Sequence, residues 1–200
     1  ASGRLSVPGS PVTDVPFSEA SFGTPLPLAT VITHTVLPAA SVNISNTTGC
    51  DPWPAGTFSG KAAIIERGGC EFGVKVLNAE QAGAAFAIIY NTPAGGEELI
   101  NMGPGVVGNQ VTITSIFVGN TAGQGIVDAY TADPAAVAVI NTVAFQLGNT
   151  PDQVSNFSSR GPGVGLALLP DIAAPGVNIL AQGYAPGAEG EEQYLGYGQA

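Results

Sequence analysis

The chain reads as an α/β protein weighted heavily towards β, and three observations predict this. The 28 glycines and 16 prolines among 200 residues demand many turns and short strands rather than long helices. Hydrophobic residues make up 44% against 10% charged, a balance that argues against disorder and for a buried core. A strand, an amphipathic helix and a second strand follow one another within residues 62–91, which is the spacing of a βαβ unit.

The elements follow in order. Residues 1–30, punctuated by Pro8, Pro11, Pro16, Pro25 and Pro27, read as an extended lead-in with edge-strand character. "ATVITHTVL" (29–37) alternates and is β-branched, so it is a strand. "AAIIER" (62–67) and "AAFAIIYN" (84–91) are short apolar strands. Between them Phe72, Val76 and Ala79 recur at helical spacing, with Gly83 as the stop. Glu71 falls in the expected first turn, where a carboxylate favours the helix dipole. After a Gly-rich loop (94–109), "VTITSIFV" (111–118) is a strand. Residues 121–133 read as a short helix weakened by Gly123 and Gly125. Residues 135–147 read as a long strand or hairpin arm, and a shift of composition at "GNTPDQVSN" marks a boundary.

Composition excludes several classes of function. The five basic residues, Arg4, Lys61, Arg67, Lys75 and Arg160, stand against 15 acidic ones for a net charge of -10. Binding a phosphate backbone or an anionic membrane needs clustered Lys and Arg, so neither partner is expected. No apolar run approaches the roughly 20 residues that span a bilayer. "ASGRLSVPGS" lacks the basic and apolar regions of a signal peptide, so the start is expected to be that of a mature or interior segment. Cys50 and Cys70 are the two cysteines, and with one distant histidine they cannot complete a four-ligand zinc site. A disulfide between them would close a 20-residue loop and stabilise by about 3 kcal/mol. Two buried thiols are the alternative; the link between disulfides and oxidising compartments favours the bridge.

The stretch "GTFSGKAAIIERGGCEFGVKVLNAEQAGAAFAIIYN" (56–91) carries a family resemblance. Gly60, Lys61, Arg67, Gly68, Cys70, Phe72, Lys75, Asn78, Ala79, Ala82, Gly83 and Ala84 follow in order the pattern G-K-I-x-L-x-x-R-G-x-C-x-F, then K-x-x-N-A-x-x-A-G-A. This resembles the protease-associated (PA) domain. "ITSIFVGNTAGQGIVDAY" (113–130) is similar to that domain's second strand and helix. The resemblance implies an open β-barrel or sandwich with two or three helices at its edges, spanning 31–147. A bridge from Cys70 to Cys50 would then pin the start of the helix.

A second resemblance follows the boundary. "FSSRGP" (157–162) and "LPDIAAPGVNILA" (169–181) are similar to subtilisin-like serine proteases, above all those with an inserted PA domain. "YLGYGQA" (194–200) resembles the lead-in to their G-T-S-M-A motif, and Leu169 stands where many relatives carry Lys. The resemblance assigns residues 1–30 and 148–200 to extended segments of the protease domain, the latter preceding its catalytic serine. Away from that domain, 151–200 is expected to be extended, disordered or docked on a neighbour. The family's D-T-G or D-S-G, H-G-T and G-T-S-M-A motifs are absent. A triad needs all three side chains, so no catalytic residue is expected in this chain. His34, inside a strand, reads as structural.

The expected function is that of a non-catalytic part of a secreted subtilisin-like endopeptidase. It would shape substrate access or protein contacts, with the parent catalytic domain and protein or peptide substrates as partners. No metal or cofactor is expected. Candidate contact residues are Trp53, in loop 43–58, for which packing is the favoured alternative, and Asn101 and Met102, in loop 94–109, since functional contacts concentrate on loops over a rigid scaffold. The alternatives are an autonomous ligand-binding PA module of a sorting receptor or membrane-anchored protein, which would lack the protease-like tail, and a metallo-aminopeptidase, which would need a metal cluster. The sequons at Asn43, Asn46 and Asn156 would carry glycans only in a eukaryotic secretory pathway. The acidic "EGEEQ" (189–193) reads as a solvated loop.

Overall fold

The computed structural model describes residues 3–143 with their side chains, and the backbone of 180–186 and 192–199. The chain divides into two units, Ala1–Phe145 and Gln146–Ala200. In chain order the first holds β1 (Arg4–Ser6), β2 (Val15–Pro16), β3 (Ser18–Glu19), β4 (Val31–Pro38), α1 (Ala39–Val42), β5 (Ala62–Glu66), α2 (Phe72–Gln81), β6 (Phe86–Tyr90), β7 (Thr114–Val118), α3 (Asn120–Ala132) and β8 (Val137–Asn141). Short 3-10 turns lie at Ile44–Asn46 and Gly108–Gln110. In the second unit β9 (Leu180–Pro186) and β10 (Glu192–Gln199) pair antiparallel. The "SSRGP" and "PDIAAPG" stretches, Asn156 and most of the expectation for 151–200 lie outside the described residues.

The first unit is one eight-stranded sheet in the order β2-β1-β8-β4-β5-β6-β7-β3. Strands β4 to β7 are parallel and the remaining pairs antiparallel. The two edge strands, β2 and β3, are separated in sequence by Phe17 alone. In a flat sheet those edges would stand roughly 34 Å apart at the usual strand spacing. One residue cannot bridge that distance, so the sheet curls until its edges meet, giving a nearly closed barrel. The Pro-rich lead-in is therefore extended, supplies both edges of the sheet, and adds Leu5, Val7, Val12, Phe17 and Leu26 to the core.

Strand β4 joins the two halves: Val31–Thr35 pair antiparallel with β8, and Val36–Pro38 pair parallel with β5. The parallel strands are covered on both faces, which is why β5 and β6 read as unbroken apolar runs rather than alternating ones. Ile64, Ile88, Ile116 and Val118 face one core with α3, through Ala122 and Ile126. Ile65, Ile89 and Phe117 face the other with α2, through Val76 and Ala79.

Helix α2 ends as expected. Gly83 takes φ +92°, its N–H reaches Glu80 O at 2.8 Å and the Ala84 N–H reaches Ala79 O at 3.0 Å. These two bonds form a Schellman motif, which needs a residue that tolerates the left-handed region. The start differs from expectation. Glu71 is the N-cap residue but makes no side-chain cap; its carboxylate accepts from Val106 N–H at 2.8 Å instead. A long-range donor on the Gly-rich loop outcompetes the helix's own amides.

Helix α3 runs 13 residues despite its glycines. A Cβ at Gly123 would lie 2.2 Å from the Tyr90 side chain, and one at Gly125 would lie 2.6 Å from Val12. The glycines that lower helix propensity are the surface on which α3 packs, so tertiary burial overrides the local cost.

Candidate functional site

The carboxyl ends of parallel strands, where apolar runs give way to polar residues, are where α/β sheets place their contact groups. Here β5 ends in Glu66 followed by Arg67, and β6 ends in Tyr90 followed by Asn91. Asn91 is 0% exposed and organises the rim. Its Oδ1 accepts from Arg67 Nη1 at 3.0 Å and from Thr92 N–H at 2.9 Å. Its Nδ2 donates to Gly95 O at 3.0 Å and Glu98 O at 2.9 Å. Its carbonyl accepts from Asn120 Nδ2 at 2.8 Å, which ties β6 to the start of α3.

Loop 94–109 is fastened at several further points. Glu97 accepts from the Thr121 N–H at 2.9 Å and from its hydroxyl at 2.6 Å. That carboxylate occupies the positive end of the α3 dipole. Met102 is 1% exposed, and its carbonyl accepts from Ser21 N–H at 3.0 Å and Ser21 Oγ at 2.9 Å. Near Gly73 of α2 the loop approaches so closely that a Cβ would lie 2.2 Å from Pro104 O. Asn101 is exposed, and Val106 is 82% exposed at the tip.

Loop 43–58 closes on the same strand ends by other means. Cys50 and Cys70 form a disulfide with Cα atoms 5.7 Å apart. Thr47 pairs with Glu66 through Glu66 N–H to Thr47 O and Thr47 Oγ1 to Glu66 Oε2, each 3.0 Å. Lys75 of α2 is 0% exposed. Its Nζ donates to Thr48 O at 2.5 Å and to Gly68 O, and lies 3.7 Å from Cys50 Sγ. Burial pulls the ammonium down to about 8, against the raising influence of Glu66. Asn78 Nδ2 holds Gly49 O at 2.9 Å and Cys50 O at 3.2 Å.

The sequence candidates fall in different places. Trp53 is 7% exposed and packs edge-on against Phe58, with ring centroids 4.9 Å apart. Trp53 and Met102 are thus core side chains, and of the three contact candidates Asn101 faces solvent. Arg67 was legible only as a motif residue. It is half-buried, and beyond Asn91 its guanidinium has no partner among the described residues. A cation closing an apolar strand was the available signal. Of the sequons, Asn43 is exposed, whereas Asn46 is buried with both side-chain polar atoms bonded to Asp51 backbone groups.

No group of three or more His, Cys, Asp or Glu able to hold a metal occurs among the described residues. His34 stacks on Phe86 with ring centroids 5.1 Å apart, and burial lowers its pKa. Tyr90 is pushed up to about 12, first by burial and then by Glu66, against a hydrogen bond with Gln124. Its phenol stays protonated at neutral pH and serves as a packing group. Chemically the rim can donate hydrogen bonds and offer one guanidinium fork, which suits carboxylate and carbonyl groups.

A nearly closed mainly β sheet, with a disulfide-tied turn between strand and helix, defines a scaffold that presents loops. Residues 32–126 match the PA domain family, and over that stretch the chain belongs to it. The minor extracellular protease Vpr of Bacillus subtilis is 35% identical over 125 residues, 62% of this chain and 14% of that protein. The subtilisin-like protease SBT1.7 of Arabidopsis thaliana is 35% identical over 147 residues, 70% of this chain and 18% of that protein. The chain thus spans under a fifth of the length of either relative. A zinc aminopeptidase structure from Bacillus subtilis aligns at 26% identity and a TM-score of 0.46, over 70% of this chain and 29% of its own.

Proposed function

We propose that the chain is the non-catalytic PA-domain part of a secreted subtilisin-like serine endopeptidase, and that its rim governs access of protein substrates to the parent catalytic domain. The observation that carries this reading is the 35% identity to two such proteases over the PA region. The "FSSRGP" and "LPDIAAPG" stretches beyond it add support. In this reading residues 148–200 belong to the protease domain ahead of its catalytic serine, and the triad lies elsewhere in the parent protein. The Cys50–Cys70 bridge fits an oxidising, extracellular setting.

Within the rim, Arg67 and the exposed Asn101 are the groups offered to a substrate backbone or carboxylate. The test compares the isolated chain, the parent protease and the parent lacking residues 3–143, the whole of the eight-stranded sheet. The isolated chain is expected to cleave nothing. The deletion is expected to retain hydrolysis of short chromogenic peptides and to lose cleavage of folded proteins. Peptidase activity in the isolated chain would overturn the reading. So would equal cleavage of proteins by the parent and its deletion. An unchanged KM for protein substrates in an Arg67→Ala parent would remove Arg67 from the rim's function.

A further inference from the structure

The Cys50–Cys70 bridge is electrostatically lopsided. Lys75 Nζ lies 3.7 Å from Cys50 Sγ, and no cation stands in the same way against Cys70 among the described residues. An ammonium carries three donors. Two of them are taken by the neutral carbonyls of Thr48 and Gly68, leaving the third direction for the sulfur. The neighbouring acid is Glu66, which raises the Lys75 pKa by its charge but spends its Oε2 on Thr47. The oxidised fold therefore holds a fully buried cation against uncharged acceptors, a costly arrangement that an adjacent anion would relieve.

We propose that Cys70 is a site of thiol exchange, with Cys50 as the leaving thiolate held by Lys75. An incoming low-molecular-weight thiolate attacks Cys70 Sγ. A bond forms between the attacking sulfur and Cys70, the Cys50–Cys70 bond breaks, and its electron pair leaves on Cys50 Sγ beside the Lys75 ammonium. A second thiol then attacks the mixed disulfide, releases Cys70 as thiolate and departs as the oxidised thiol dimer, so the two electrons come from two thiols.

A thiolate beside a lysine has a lowered pKa, and a lower leaving-group pKa speeds exchange. Two features serve this chemistry. Cys70 is half-buried between the exposed Gly69 and Glu71, which leaves a small reagent a partial approach to its side of the bridge. Asn78 grips the carbonyls of Gly49 and Cys50, which keeps the freed Cys50 within reach of Lys75. With Lys75 pulled down only to about 8, the ammonium is still the main form at neutral pH.

The experiment treats the oxidised 200-residue chain with reduced glutathione at pH 7, quenches with acid and N-ethylmaleimide, and maps the peptides by mass spectrometry. Glutathione is expected on Cys70 and maleimide on Cys50; glutathione on Cys50 would overturn the proposal. Lys75→Met is expected to slow the first exchange severalfold, because without the cation the leaving thiol's pKa rises and a higher-pKa thiol departs more slowly. Lys75→Arg should keep most of the rate. Equal rates for wild type and Lys75→Met would also sink the idea. Should Lys75→Met fail to fold, the mapping on the wild-type chain still decides. A Cys70→Ser chain adds an independent reading by thiolate absorbance: Cys50 should titrate below the ordinary value of about 8.5, and an ordinary value contradicts the assignment.

Discussion

Loops 43–58 and 94–109 close on the same ends of the parallel strands, yet they are fastened in opposite ways. The first is held covalently, by the Cys50–Cys70 bridge, and by a buried cation gripping Thr48 and Gly68. The second has no covalent tie. It is held by side-chain amides and carboxylates that each satisfy backbone groups of the loop or its neighbours: Asn91, Glu97 and Glu71. A bridge fixes two points and leaves the chain between them to pack, which Trp53 and Phe58 do. Hydrogen bonds spread along a Gly-rich segment hold it at many points, around the buried Met102. A loop of the second kind can open one fastener at a time, as a surface that adapts to partners requires.

Removing the bridge should produce the largest loss. A Cys50→Ser, Cys70→Ser double variant is expected to lose about 3 kcal/mol of unfolding free energy, the chain-entropy value for a loop of this length. Denaturant unfolding measures it. In hydrogen exchange the loss should appear as faster exchange over 43–58, with 94–109 moving only as far as global stability falls. A selective opening of 94–109 would show that the two loops are not independently fastened.

Asn91→Ala comes next. The substitution removes the acceptor of Arg67 Nη1 and Thr92 N–H and the donor to Gly95 O and Glu98 O, all at a fully buried position. Leaving such groups without partners costs about 2 kcal/mol. Protection should fall first at 94–98. If stability drops by less than about 0.5 kcal/mol, water replaces the amide and the hub is dispensable.

How much of this could be read from the chain depends on distance along it. The apolar runs of β5, β6 and β7 and the helical spacing of α2 were visible because each is a local pattern. Strands β1 to β3 showed only as edge-strand character in the lead-in, without bounds, because two or three residues among prolines show no period, and they are defined by pairing of β1 with β2 and β8 and of β3 with β7. Helix α3 was placed within one residue of its observed span but read as weakened, because Gly123 and Gly125 count against a helix until the sheet beneath them is known. In the site, Cys50 and Cys70 were legible, and so were Lys75, Asn78 and Arg67 as members of a pattern. What they touch was not. Lys75 meets Thr48 and Arg67 meets Asn91 across 27 and 24 residues of chain, and no local spacing encodes such contacts. Met102 looked like a loop residue free to meet a partner but fills the core under its loop, whereas Trp53, an aromatic read as more suited to packing than to gripping a partner, does pack.

The smallest expected effect tests the weakest fastener. Glu71 is exposed, and its carboxylate accepts a hydrogen bond from Val106 N–H at 2.8 Å. Glu71→Ala removes it without exposing any core side chain, so global stability should change by under about 1 kcal/mol. The change should instead be local: the Val106 amide loses protection while Gly95 and Glu98, held by Asn91, keep theirs. Glu71→Gln, whose amide oxygen can still accept, should restore part of the protection, since a carboxylate is the stronger acceptor of the two. If Val106 exchanges at the same rate in all three chains, the close approach of Pro104 to Gly73 holds the tip by itself. Loop 94–109 would then be fixed by packing, as loop 43–58 is around Trp53, and the contrast between the two would narrow to the disulfide.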